Sequence, residues 1–129
     1  MNPADKDHLV VSYMSSVDAD YPIYVTFDGG VNWTPSSFSS LAYLDTLSPG
    51  TQVFGGGDPV LAFDANGNLH MTYIYVHGSG FNFVGGMYYV NSTDGGITFN
   101  IPSNGDHIVH EGDILASDLL DRQWMHCDT

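Results

Sequence analysis

The feature that most constrains this chain is that it repeats itself. Thr26-Phe27-Asp28-Gly29-Gly30-Val31-Asn32-Trp33 recurs 66 residues later as Ser92-Thr93-Asp94-Gly95-Gly96-Ile97-Thr98-Phe99. Upstream of each copy, Val10-Val11-Ser12-Tyr13 matches His70-Met71-Thr72-Tyr73 at an offset of 60. A third match sets Val60–Asp64 against Trp124–Asp128 at an offset of 64. Three correspondences in one order describe a tandem repeat, so each unit is one supersecondary module that buries its faces against neighbours. The unequal offsets are assigned to a longer loop, Val76–Phe83, in the second copy.

The units read as strands. Fifteen Gly, six Pro, eight Tyr and seven Phe favour strands and turns over helices. β-rich runs fall at Leu9–Tyr13, Tyr21–Phe27, Asp58–Phe63, Leu69–Tyr75 and Gly86–Ser92. Asp64-Ala65-Asn66-Gly67-Asn68 lies between two of them, and Asn-Gly there is a hairpin signal. Helical periodicity is weak; Ser40–Leu47 and Ile114–Leu120 hold one or two turns at most. The chain reads as all-β, with four strands per repeat.

The repeated octapeptide has a physical logic. A tight turn leaves several backbone N–H groups pointing inward, and a short carboxylate such as Asp28 or Asp94 accepts them. Gly30 and Gly96 permit positive φ, and Trp33 and Phe99 cover the turn with apolar area. The competing reading makes these turns sugar-contact or calcium loops. The octapeptides resemble the Asp box, Ser/Thr-x-Asp-x-Gly-x-Thr-Trp/Phe, of the BNR repeat found in sialidases and sialidase-like β-propellers. Ser92, Asp94, Gly96, Thr98 and Phe99 fit every position. Thr26, Asp28, Gly30 and Trp33 fit as well, with Asn32 in place of Thr. The resemblance extends over nearly the whole chain and implies a fragment of a β-propeller built from four-stranded antiparallel blades with Asp-box turns.

On that reading, residues 8–38 supply strands B to D of one blade, 58–103 a complete blade, and 122–128 the first strand of a third. Propellers need about four to eight blades, so six such repeats would take about three times this length. The chain is therefore expected to be an internal piece of a longer propeller, its partners being the remaining blades of the same chain. The alternative is a small protein that closes its ring by self-association. Strand 58–63 is apolar on both faces, Leu61 and Phe63 alternating with Val60 and Ala62, as a strand packed on both sides would be.

Charge and composition narrow the partners. The 129 residues carry two basic and fifteen acidic side chains, a formal net charge of −13. Such a surface cannot neutralise phosphates, which argues against nucleic acid and anionic membranes. No apolar run approaches the roughly 20 residues of a membrane span, and no secretory signal is visible. Localisation outside the cell or at its surface is implied only by the resemblance. Cys127 stands alone, so no internal disulfide and no multi-cysteine metal site can form.

A sialidase resemblance implies three Arg around a sialate carboxylate, a Tyr–Glu nucleophile pair and an Asp as general acid/base. This chain has only Arg122 to offer and a single Glu, Glu111, beside which no spacing fixes a Tyr. The Arg-Ile-Pro motif that usually precedes the first box is also missing. The expected function is glycan binding or glycoside hydrolysis in the full-length protein, with no catalytic competence in this piece. The alternatives are a non-catalytic adhesion or interaction propeller, a xyloglucanase-like hydrolase or a sortilin-like receptor.

Smaller constellations read as structural. His107, His110, Glu111 and Asp113 suggest a metal loop but lack further spaced ligands. Asp64-x-Asn66-Gly67-Asn68 faintly resembles a calcium loop without the closing bidentate Glu. No cofactor is expected; calcium has no support beyond that likeness. The sequons at Asn32 and Asn91 fall in turns already explained. Trp124, Tyr88 and Tyr89 suit either sugar stacking or core packing. The candidate ligand-facing residues are Asp58, Asp121, Arg122 and Trp124. Asp58 and Asp121 precede successive innermost strands, and Arg122 is the cation placed to meet a ligand. The competing reading makes them caps and salt bridges at strand starts.

Overall fold

The computed structural model describes residues 1–14, 21–38, 52–100, 108–116, 121 and 123–128. The described chain is all-β, as the composition requires, and forms two antiparallel sheets. The first is a three-stranded meander of β1 (Leu9–Ser12), β2 (Ile23–Thr26) and β3 (Thr34–Pro35). The second is a four-stranded meander of β4 (Gln52–Phe63), β5 (Leu69–Ser79), β6 (Asn82–Ser92) and β7 (Ile108–Asp113). A 3-10 turn, Ile114–Ala116, follows β7. The helical turns considered at Ser40–Leu47 lie outside the described residues.

The hairpins follow from local chemistry. Between β4 and β5, Gly67 donates to the carbonyl of Asp64 at 3.1 Å and Asp64 donates to that of Asn68 at 2.9 Å. Gly67 takes φ +81°, which a side chain would resist, so Asn-Gly acts here as expected. The long loop expected at Val76–Phe83 is absent. β5 and β6 instead continue through it, pairing His77 with Val84, Gly78 with Phe83 and Ser79 with Asn82. Two residues, Gly80 and Phe81, make the turn, with Gly80 at φ +65° in the first position, where a type II′ hairpin needs a glycine. Aromatic and β-branched residues alternating with glycine favour a long twisted ribbon over a loop. The fourth strand of this sheet is β7, while Asn100 touches β6 only through a single bridge to Asn91.

Register decides which side chains meet. Met71, Tyr73 and Tyr75 of β5 share a face with Tyr88 and Val90 of β6. That face packs on Tyr21 and Ile23 of the first sheet, and all seven residues are buried. The ring centroids of Tyr21 lie 5.1 Å from Tyr75 and 5.4 Å from Tyr73, within the range of favourable aromatic contact. The Tyr21 hydroxyl donates to the carbonyl of Ile74. Val10, Phe38, Leu61, Phe99 and Ile108 close the margins of this core.

The last described segment, 123–128, runs alongside β4. Gln123 reaches the carbonyls of Asp58 and Thr72, while Cys127 approaches Asp64 and Tyr89, so the segment follows the direction of β4. Its burial alternates, with Gln123, Met125 and Cys127 half-buried and Trp124, His126 and Asp128 exposed. Alternation of period two is the mark of an extended chain laid on a surface.

Candidate functional site

The two repeated octapeptides fold into turns with one hydrogen-bond pattern. Each begins on a buried hydroxyl at the end of a strand, Thr26 on β2 and Ser92 on β6. That oxygen accepts the N–H four residues on, from Gly30 at 3.1 Å and from Gly96 at 2.7 Å. It donates its proton to the carboxylate two residues on, to Asp28 at 2.7 Å and to Asp94 at 2.8 Å. The carboxylate then accepts the N–H four residues beyond itself, from Asn32 and from Thr98, both at 2.9 Å. The side chain at that position donates as well, Asn32 at 2.7 Å and Thr98 at 2.5 Å. Asn therefore replaces Thr without loss of the donor. Gly30 and Gly96 take φ +97° and +100°.

Such turns hold donors toward the carboxylate, which is the inverse of a calcium loop, where oxygens converge on a cation. The N–H of Asn32, with the Thr26 hydroxyl and the Asn32 amide, lowers Asp28 to about 2. Burial pushes Asp94 upward, but the Thr98 hydroxyl and N–H and the Ser92 hydroxyl outweigh it and hold the group low. Asp64 repeats the clamp in the β4–β5 hairpin, where the Asn68 amide, followed by backbone N–H groups and His70, lowers it to about 2. Trp33 covers its own turn, donating Nε1–H to the carbonyl of Gly30 at 3.0 Å. Phe99 packs into the core against Phe38 instead.

A different geometry develops at Asp58. Pro59 has no N–H to give the ladder, and between Gly57 and Val60 the register of β4 against β5 slips. Asp58 sits in this bulge at φ +53°, the only non-glycine residue with positive φ among the described residues. A residue before proline is normally driven to extended geometry, so this is local strain, and bulges commonly re-aim a side chain. Gln123 Nε2 donates to the Asp58 carbonyl, and the Asp58 N–H meets Met14 Sδ at 3.4 Å. Beside the bulge lies a cleft of about 260 Å³ lined by Asp58, Val60, Gln123 and Trp124. Trp124 is 91% exposed, so its ring is a free surface rather than part of a core. Of the four sequence-derived candidates, the cleft brings Asp58 and Trp124 together. Asp121 is exposed two residues before Gln123 and does not line it. Arg122 falls outside the described residues.

Sequence reasoning missed a second cluster. Glu111 pairs across from Gly86 on β7, and the Tyr88 ring folds over Gly86, where a side chain would collide with it. The Tyr88 hydroxyl donates to Glu111 Oε1 at 2.7 Å and lies 2.7 Å from His77 Nε2, which is itself 3.6 Å from Glu111. Only register across three strands assembles this triangle. Tyr88 is wholly buried, so its hydroxyl joins strands and is not presented to a ligand. His110 faces away from Glu111 and Asp113 by strand alternation, and His107 lies outside the described residues. Among the described residues no group of three His, Cys, Asp or Glu is placed to hold a metal ion. Tyr89, on the opposite face from Tyr88, bonds His70 Nδ1 at 2.6 Å.

Comparison with family models, curated proteins and solved structures returns no match to this chain.

Proposed function

We propose that this chain is part of a sialidase-like Asp-box β-propeller whose full-length form binds glycans outside the cell or at its surface. The observation that carries the reading is the pair of octapeptide turns. Asp28 and Asp94, 66 residues apart, are clamped by donors at the same relative positions. The two turns share one pattern of four hydrogen bonds, as two copies of one repeated motif would. Two features add support. One sheet packs face to face on the other, and residues 123–128 follow the direction of β4 beside it, as successive innermost strands of a propeller do.

The piece itself lacks the means of sialoside hydrolysis. It has two basic residues in all, and the Tyr88 hydroxyl that meets Glu111 is buried in the sheet. Catalysis, where it occurs, belongs to the parent protein and to residues beyond these. The same two facts favour a second reading, a non-catalytic propeller that serves adhesion or interaction.

The full-length gene product decides between them. Further Asp boxes at the same spacing, with binding on an array of glycans, support the propeller reading. Turnover of a fluorogenic α-sialoside then identifies a hydrolase, and binding without turnover an interaction module. A parent chain with no third box and no glycan bound would refute the proposal.

A further inference from the structure

We infer that copies of this chain complete one another, residues 123–128 of one copy lying as a fourth strand beside β1 of the next. This goes beyond the reading above; it rests on the propeller geometry of that reading and not on glycan binding. Among the described residues the first sheet has three strands, and β1 pairs with β2 alone. The second sheet has four, with β4 beside β5. The repeat sets Val10–Tyr13 against His70–Tyr73, so β1 corresponds to the start of β5 and lacks its β4. Residues 124–128 correspond to Val60–Asp64 of β4, and no strand pairs with them among the described residues. Each copy thus holds a second strand without a first and a first strand without a second. Transferring the register of β4 on β5 pairs Trp124 with Ser12, Met125 with Val11, His126 with Val10 and Cys127 with Leu9.

The outer face of the first sheet is built like a buried one. Val11 and Tyr24 pair across the strands and, by alternation, turn away from the core that Val10 and Ile23 join. Val11 and Tyr13 are 45% and 52% exposed, while their counterparts Met71 and Tyr73 are buried against the first sheet. The Tyr13 and Tyr24 rings lie nearly parallel, centroids 6.4 Å apart, and extend this apolar platform. Tyr21 and Ile23 are what cover Met71 and Tyr73. Their counterparts 66 residues on, Met87 and Tyr89, stand half-buried on the far face of the second sheet. The contact between the two sheets within one copy is therefore the template for a contact between copies. Charge permits a second copy here. The chain carries −13, yet residues 8–14, 21–27 and 65–93 contain no Asp, Glu, Lys or Arg, so neither face sets like charge against like. Different faces meet, so the contact is head-to-tail, which closes into a ring where the rotation fits. The seven strands and residues 123–128 make two four-stranded sheets per copy, and a propeller of four to eight sheets takes about two to four copies.

The test is the association of the 129-residue chain itself, read by sedimentation equilibrium and by a disulfide. A discrete species of about two to four copies is expected. Antiparallel neighbours place their Cα atoms about 4.5–5.5 Å apart, within reach of a disulfide. Leu9→Cys should therefore link to the next copy's Cys127 on mild oxidation and give covalent multimers, whereas Lys6→Cys should not. Val11→Asp, at an exposed position, puts a charge on the platform and should weaken association by about tenfold or more, with the circular dichroism of the strands unchanged. A monomer with both faces open would overturn the inference and leave the adjoining sheets of a longer chain as their occupants. An oligomer in which Leu9→Cys forms no link and Val11→Asp has no effect would overturn it as well, because another surface then associates. Further Asp boxes in the parent gene and binding on the glycan array judge the proposed function separately.

Discussion

Gly30 and Gly96 form a natural experiment in packing. They occupy equivalent places in the two octapeptides and have nearly the same backbone, φ +97° and +100°. Replacing either by Ala forces an L residue into a region it rarely adopts, which costs about 1–3 kcal/mol at both sites. The surroundings differ. A Cβ at position 30 meets only the Trp33 ring, 3.6 Å away, an ordinary contact with an exposed side chain. A Cβ at position 96 meets Leu69 at 3.0 Å, Val25 at 3.2 Å and Val10 at 3.3 Å, three branched side chains. Leu69 and Val25 are fully buried and have no room to yield. Overpacking of this sort costs a further amount of about 1–3 kcal/mol. Gly96→Ala should therefore destabilise by about 2–6 kcal/mol and Gly30→Ala by about 1–3, and the difference isolates the packing between turn and sheet. Urea unfolding of the full-length protein, followed by near-UV circular dichroism, measures both. Equal losses, or a larger loss at Gly30, would refute the claim that Gly96 is the point where the second turn is pressed between the sheets.

Three further outcomes are expected. Asp28 and Asp64 are lowered from 3.8 to about 2, so their contribution is complete above the unfolded value and is lost as pH falls from about 4 through 2. The amide protons of Asn32 and Asn68 should lose protection from exchange in that window, and constant protection down to pH 2 would contradict the clamps. Tyr88→Phe leaves His77 Nε2 and Glu111 Oε1 without their shared hydroxyl and should cost about 1–3 kcal/mol in urea unfolding, against less than about 1 for Glu111→Gln; equal and negligible losses would show the triangle to be idle. The 129-residue chain alone should self-associate or bind hydrophobic dye, since large apolar side chains, Val11, Tyr13, Phe54, Phe81 and Val109 among them, stand exposed on it. Sedimentation as a 14.0 kDa monomer with a cooperative thermal transition would defeat this.

What was legible in the sequence was local. The Asn66-Gly67 hairpin and the Asp28 and Asp94 turns depend on hydrogen bonds between residues no more than four positions apart, and each closes its own donors. The strands of the core were legible because Val, Ile and Tyr have few other uses at such density. The Val76–Phe83 loop was misread for a physical reason. Gly78 and Gly80 look like loop formers, but Gly78 lies against the backbone of Asn82 and Gly80 alone makes the turn, so only cross-strand register distinguishes a ribbon from a loop.

The two polar sites divide along the same line. Asp58 and Trp124 are 66 positions apart, yet the offset of 64 that sets Val60–Asp64 against Trp124–Asp128 relates their segments in the sequence. The tie that makes them a cleft, Gln123 to the Asp58 carbonyl, was invisible because it depends on a bulge, and Pro59 in a strand signals a bulge without fixing its direction. His77, Tyr88 and Glu111 follow no repeat. They meet because Gly86 leaves space beneath the Tyr88 ring and because β7 enters the sheet in a slipped register. A missing side chain carries no periodic signal, so the space it leaves can be read only once the neighbour that fills it is known.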